Sequence, residues 1–337
     1  MYPPKVLMIA ARIEQRIRRG FYRDSLPVNE TLQNEFRVAR QTITCALRLL
    51  FRAGILRCTS PRNGIQIVRE NINSGTIAIV SNHEIGWEDK ALLKEIMLDG
   101  FEYKMFDLEE FEKNLEADIA KFCGFLFLNS SLRRETADTL SAANIPFVAC
   151  NKITWSTQTS CVDYDEEANI RYLLKYLTKQ NYRRIGFFYS SPLECYNKSA
   201  MKMVRRLKRE CGLPLFASDR FVFSEKESVK EELKRFLNLC LKKKSFPDAL
   251  IVKSNFCHEI FSFAKESGIE IPDTFKLVYL RARQERVPAY PWVLPFHVSP
   301  PNWRLWLQGY EILRGRILAP ESAPVRQWVS SKIILEH

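Results

Sequence analysis

Through the first fifty residues, apolar positions recur with a helical period. Val6, Ile9, Ala10, Ile13 and Ile17 form one stripe closed by Gly20, which predicts a helix over 4–20 with Arg12, Arg16, Arg18 and Arg19 facing outward. Leu32 and Phe36 mark a second, short helix. Ile43, Ala46, Leu47 and Leu50 mark a third, at spacing i, i+3, i+4, i+7. Only Arg37 and Val38 separate the second and third patterns, a joint tight enough for a helix–turn–helix. Gly54 stands as the C-cap of the third helix. Ile55–Thr59 and Ile65–Val68 read as strands around a turn at Pro61–Gly64, where Asn63-Gly64 is a favourable hairpin pair. Helix, turn, helix and hairpin make a winged helix over residues 1–71.

After a polar linker at Glu70–Gly75 the rhythm changes. Thr76–Ser81 is a β-branched run suited to a buried parallel strand. A helix over Trp87–Leu98 follows, then a strand over Tyr103–Phe106, a helix over Leu108–Lys121, a strand over Gly124–Leu128, a helix over Arg133–Ala143 and a strand over Phe147–Cys150. The alternation restarts at Cys161–Val162 with helix Glu166–Lys179, strand Arg184–Tyr189 and helix Tyr196–Glu210. A short strand at Phe221–Phe223, helix Ser228–Lys242, strand Ala249–Lys253, helix His258–Glu266 and strand Leu277–Leu280 complete it. Repeated βα units of this kind predict the α/β class with parallel sheets. The two halves describe a periplasmic-binding-protein-like body over 75–337. One lobe is expected at about 75–153 and 283–318, the other at about 160–280 and 322–337. A ligand would lie between them, outside the strand ends.

Charge sharpens this division. The 337 residues carry a net charge of +12. Residues 1–74 hold 13 Lys and Arg against 5 Asp and Glu, so two-thirds of the excess sits in the predicted winged helix. A concentrated basic footprint supplies salt-sensitive affinity for nucleic acid. The polar face of the third helix carries Arg40, Gln41, Thr42, Thr44 and Arg48, the residue types that read base edges and hold phosphates. Asn29 opens the second helix, and Arg62, Asn63 and Gly64 form the wing tip. The plain alternative is a solvated helix face in a partner-binding domain.

Other chemistries find little footing. Nine cysteines, at 45, 58, 123, 150, 161, 195, 211, 240 and 257, include no C-x-x-C. They read as small buried hydrophobes in a reducing cytoplasm. Four scattered histidines give no metal spacing, and neither a phosphate loop nor a nucleophile–base pair stands out, so no catalytic residue, metal or cofactor is expected. No run approaches 18 apolar residues and no secretory leader is visible, which argues for a cytoplasmic protein and against a membrane span or a secreted solute receptor.

The segment Leu26–Val68 resembles the head of the GntR family of bacterial transcription regulators. Leu26, Pro27, Leu32, Phe36, Val38, Arg40, Thr42, Ala46, Leu47, Leu50 and Gly54 stand in matching places. Val28 and Ala39 replace serines of that pattern, and Thr44 an arginine. Residues 75–337 resemble the effector-binding body of LacI/GalR regulators through Tyr182–Phe188, Phe246–Ile251 and Ser267–Asp273. The resemblance implies a homodimer on a double-stranded DNA operator, controlled by a small effector, a sugar or sugar acid. Three polar positions of sugar-binding members fall here on Ala200, Ser254-Asn255 and Arg281-Ala282. Trp87 and Trp155 remain as stacking candidates, and Asn197, Lys198, Asn255 and Arg281 as donors. The tryptophans could equally be core or rim aromatics, and Arg281 half of an ordinary ion pair. A second reading is a regulator whose body has lost its ligand and serves as a structural or protein-interaction module.

Overall fold

A computed structural model of the chain describes residues 2–58, 64–68, 75–81, 89–129, 132–151, 158–188, 194–221, 228–244, 246–252, 257–268, 274–281 and 292–335. These divide into two compact units, Met1–Asp163 with Trp303–Trp328, and Tyr164–Asn302 with Val329–His337.

The first unit begins with three helices, α1 (Pro4–Arg18), α2 (Asn29–Phe36) and α3 (Arg40–Arg52), then the antiparallel pair β1 (Leu56–Cys58) and β2 (Ile65–Ile67). The apolar stripes behave as their period requires: Ile9, Ile13 and Ile17 of α1 and Ile43, Ala46 and Leu50 of α3 are all buried. Gly20 and Gly54, both at positive φ, end the chain's run through α1 and α3. One expectation fails. Arg18 and Arg19 do not face solvent; their side chains are 6% and 26% exposed and make ion pairs within the unit.

The body of this unit is a six-stranded sheet. Its elements are β3 (Thr76–Ser81), α4 (Asp89–Leu98), β4 (Glu102–Asp107), α5 (Leu108–Asp118), β5 (Gly124–Phe127), α6 (Arg134–Ala142), β6 (Phe147–Cys150) and β7 (Cys161–Tyr164). The sheet order is β12-β7-β6-β5-β3-β4, with β3 to β7 parallel. Strands β5 and β6 are buried along their whole length, as expected of a sheet covered on both faces. Phe106, Phe111, Phe122, Phe125 and Phe127 form one aromatic cluster with centroids 5.5–6.3 Å apart.

The second unit holds α7 (Glu166–Lys179), β8 (Ile185–Phe188), α8 (Glu194–Glu210), α9 (Val229–Lys242), β9 (Ala249–Val252), α10 (Cys257–Glu266), β10 (Lys276–Arg281) and β11 (Val293–Ser299). The chain then returns to the first unit as α11 (Asn302–Leu318) and β12 (Arg326–Val329), and ends in β13 (Lys332–Leu335). The second sheet runs β13-β11-β10-β9-β8, parallel except for β13.

These ladders move the lobe boundaries read from the sequence. Strand β7, expected to lead into the second lobe, pairs with β6 of the first sheet, and β12 lies at that sheet's edge. Strand β11, expected in the first lobe, pairs with β10 of the second. A strand's allegiance is set by its hydrogen-bonding neighbour, which chain order does not reveal. The strand expected at Phe221–Phe223 is absent at Phe221, which follows a 3-10 turn over Ala217–Arg220; residues 222 and 223 lie outside the described residues. Cys150, Cys161 and Cys240 are buried as read, but Cys58 is exposed.

Lys208 of α8 is fully buried in the second unit. Its Nζ donates to Asp219 Oδ2 at 2.7 Å and to the Ile185 carbonyl at 3.0 Å. Burial pushes the ammonium below its ordinary range against the pull of Asp219. The same carboxylate oxygen accepts the Phe216 N–H, so one pair ties α8, β8 and the 3-10 turn together. Lys208→Met leaves Asp219 buried without its partner and should lower the unfolding free energy by about 3–5 kcal/mol. A urea titration of the full chain checks this, with partial recovery expected on adding Asp219→Leu.

Candidate nucleic-acid interface

The turn between α2 and α3 is made by Arg37 in the left-handed region (φ 51°), followed by Val38 and the extended Ala39. A non-glycine residue there costs about 1–2 kcal/mol, so the surrounding packing must hold it. The helices on either side supply that hold: Leu32 and Ile43 are both fully buried. A second tie joins α1 to α2. Tyr22 Oη donates to Glu35 Oε2 at 2.7 Å, Arg16 pairs with Glu35, and the Arg16 guanidinium lies 4.8 Å from the Phe36 ring centre.

Helix α3 then has one face buried and one in solvent. Arg40, Gln41 and Arg48 are exposed, Thr42 and Thr44 partly so. The helical period places Arg40, Gln41, Thr44 and Arg48 along one outward strip. The Thr44 hydroxyl donates to the Arg40 carbonyl at 3.0 Å, so its proton is already engaged. No side chain caps the N-terminus of α3, since Ala39 has no hydroxyl to offer. An uncapped helix start presents backbone N–H groups and a positive dipole end, a natural seat for a phosphate. Asn29, half-buried, begins α2 in the same uncapped way after Val28.

Beside α3, β2 is flanked on both sides. It pairs with β1 and takes backbone bonds from Leu26 and to Asp24. Arg57 of β1 is exposed and donates to Gln66 of β2 at 3.4 Å. Arg37 and Arg57 were passed over in the sequence. Their signal is a basic residue at a joint and on a short strand, neither of which has a period to show its direction. Gly64 is described, at φ +66°, while Arg62 and Asn63 lie outside the described residues.

The effector candidates are less fully placed. Trp87, Trp155, Ser254 and Asn255 lie outside the described residues. Asn197 and Lys198 belong to the first turns of α8, with Lys198 exposed, and Arg281 ends β10. Ala200 is buried in α8. The first sheet adds two residues the sequence reading did not single out. Asn129 follows β5 and Asn151 follows β6, both at positive φ, which asparagine tolerates. Asn129 Nδ2 is buried without a hydrogen-bond partner among the described residues, and Asn151 Oδ1 accepts from Trp306 Nε1 at 3.4 Å. The strand order reverses at β3, and the carboxyl ends of strands beside such a reversal are where open α/β sheets take ligands. Among the described residues no group of three metal-ligating side chains occurs, and no helix is long and apolar enough to cross a membrane.

Adding an N-cap should stabilise this head. Ala39 is exposed and extended, so Ala39→Ser is expected to raise the unfolding free energy by about 1 kcal/mol, read as a shift in urea midpoint at constant slope.

No known family profile matches the chain, and no curated protein matches it. Solved structures do. The transcriptional regulator CelR–cellobiose complex aligns over 92% of this chain and 98% of its own, with a TM-score of 0.61 at 17% identity. Transcription regulator CcpA of Lactococcus lactis aligns over 78% of this chain and 98% of its own, at TM-score 0.61 and 16% identity. A LacI family transcriptional regulator from Enterococcus faecium with bound ribose aligns over 77% and 96%, at TM-score 0.56 and 13% identity. These neighbours are transcription regulators rather than enzymes, and at such identities the likeness establishes architecture: the chain carries the two-sheet, periplasmic-binding-protein-like α/β fold of LacI-family regulators.

Proposed function

We propose that the chain is a DNA-binding transcription regulator, acting as a repressor in the cytoplasm, with residues 1–71 as a GntR-like winged-helix head and 75–337 as its effector-binding and dimerisation body. The observation that carries this reading is the exposed strip Arg40, Gln41, Thr44 and Arg48 on a helix whose other face is buried behind a tight turn. That strip is the part that enters a major groove in helix–turn–helix proteins. Arg40, Gln41 and Arg48 read bases or phosphates, Thr42, Thr44 and Asn29 flank them, and Arg62, Asn63 and Gly64 meet the neighbouring backbone. The functional unit is a homodimer on a pseudo-palindromic operator.

DNA selected from a random-sequence duplex library by the full chain tests this. Arg40→Ala should weaken binding to the selected duplex by about 1–3 kcal/mol. Thr44→Ala should cost less, because the Thr44 proton is spent inside its own helix. Gel-shift titration and sedimentation read affinity and stoichiometry, two chains per duplex being expected. Unchanged affinity for Arg40→Ala rejects the assignment of α3.

The effector is proposed to be a small carbohydrate-like molecule, since the neighbouring structures carry cellobiose and ribose. Its chemistry should differ from a neutral sugar. Ala200 is buried where an arginine grip is expected, and Arg281 stands where a carboxylate is expected. A guanidinium offers donors only and suits a carboxylate or phosphate held in a two-point fork. Arg281, Asn255, Asn197, Lys198, Trp87 and Trp155 are the candidates read from the sequence, and within the first unit alone Asn129 offers a buried donor just after β5. Calorimetry should therefore show uronic acids binding and their neutral parents not. Tight binding of a neutral sugar that survives Arg281→Ala places the site elsewhere.

A further inference from the structure

Helix α1 is buried on two sides. Ile9, Ile13 and Ile17 belong to the helix–turn–helix core. A second line, Leu7, Ala11, Glu14 and Arg18 at i, i+4, i+7, i+11, faces the body of the same unit. Leu7 lies against α11 where Gly315 has no side chain; a Cβ on Gly315 would stand 3.3 Å from Leu7 Cβ. Below it, Glu14 Oε2 accepts from Arg314 Nη2 at 2.5 Å, and Glu14 Oε1 from Arg18 Nε at 2.5 Å. Arg18 Nη1 donates to the Asp99 carbonyl at 3.2 Å, and its guanidinium sits 4.3 Å from the Phe101 ring centre. The Asp99 carboxylate, wholly buried, accepts from Gln15 Nε2 at 3.0 Å, Arg19 Nε at 2.9 Å and Tyr310 Oη at 3.0 Å, with Arg314 Nε 3.4 Å away. Arg19 also pairs with Glu95, and Arg12 with Glu311 at 3.5 Å on the rim.

Two buried carboxylates, Glu14 and Asp99, thus meet three guanidiniums: Arg18 and Arg314 on Glu14, Arg314 and the partly exposed Arg19 on Asp99, in a nearly dry seam. Charges so placed tolerate one register only, because any displaced docking leaves a charge buried without its partner. A head hung on a free tether would show water-exposed polar side chains on this face of α1. We infer that the helix–turn–helix and the six-stranded sheet form one rigid body joined through α1, so that a signal reaches α3 by movement of the whole first unit and not by swinging of the head against it. The DNA clause of this inference rests on the function proposed above; the docking itself does not.

The full chain carrying Leu7→Cys and Gly315→Cys tests it. The Cβ separation is close to that of a disulfide. Mild oxidation should cross-link the pair in high yield within one chain, mapped by mass spectrometry under non-reducing conditions. Neither single variant should give that peptide pair. The oxidised protein should bind the selected duplex within about twofold of the reduced protein. Failure to cross-link while both thiols alkylate freely overturns the docking, as does a tenfold or greater loss of DNA binding that reduction restores. If oxidised, reduced and unaltered chains all ignore DNA, the proposed function fails while the cross-link still reports the docking. Hydrogen exchange on Glu14→Gln gives a second reading. Exchange at the end of α4 and in α11 should rise together with that of α1, and a rise confined to residues 1–68 overturns the inference.

Discussion

Glu14 is the residue on which the architecture of the first unit turns. A carboxylate 2% exposed in the middle of a helix is costly unless its oxygens are met, and here Arg18 and Arg314 meet one oxygen each. Arg314 comes from a helix 300 residues away in sequence. The pairing therefore cannot form until the chain has run through the second unit and returned as α11. Tyr310, whose hydroxyl burial pushes to a higher pKa, serves Asp99 as a neutral donor and adds no charge to the seam. Arg19 is only partly buried; burial opposes its charge, and hydrogen bonds to Glu95 and Asp99 more than offset this.

Much of the fold could be read from period alone. The α1 and α3 stripes and the apolar runs of β3, β5 and β6 each announce their own environment, because one face or both must be dry. What could not be read shares one physical cause. The second stripe of α1 ends in Glu14 and Arg18, which local pattern assigns to water, and only partners at Asp99 and Arg314 make them internal. The allegiance of β7, β11 and β12 depends likewise on ladder partners distant in sequence. Asn129 and Asn151 look like ordinary turn residues until the sheet order shows that they follow neighbouring strands.

The candidate interface was legible for a different reason. Arg40, Gln41 and Arg48 lie opposite Ile43, Ala46, Leu47 and Leu50, so burial of one set dictates exposure of the other. Thr44 shows the limit of that logic. Its position on the strip followed from the period, but the bond from its hydroxyl to the Arg40 carbonyl, which lessens its capacity to donate elsewhere, is a rotamer choice that no spacing predicts.

The seam also places two surfaces on one turn of helix. Glu95 in the last turn of α4 and Asp99 just after it hold α1, while Met97 and Leu98 between them are 55% and 48% exposed. Side chains two residues apart on a helix point in different directions, so the turn can hold the head inward and offer apolar surface outward at once. From Asp99 the path to α3 is short: Arg19 and Gln15 on α1, then Ile13 and Ile17, then the buried face of α3. Every step is a packed or ion-paired contact within one unit. In the proposed homodimer, a shift of one copy of the first unit against the other would therefore change the separation of the two α3 strips directly. Close-packed cores transmit a displacement instead of absorbing it, and the described residues of this seam give the head no softer route.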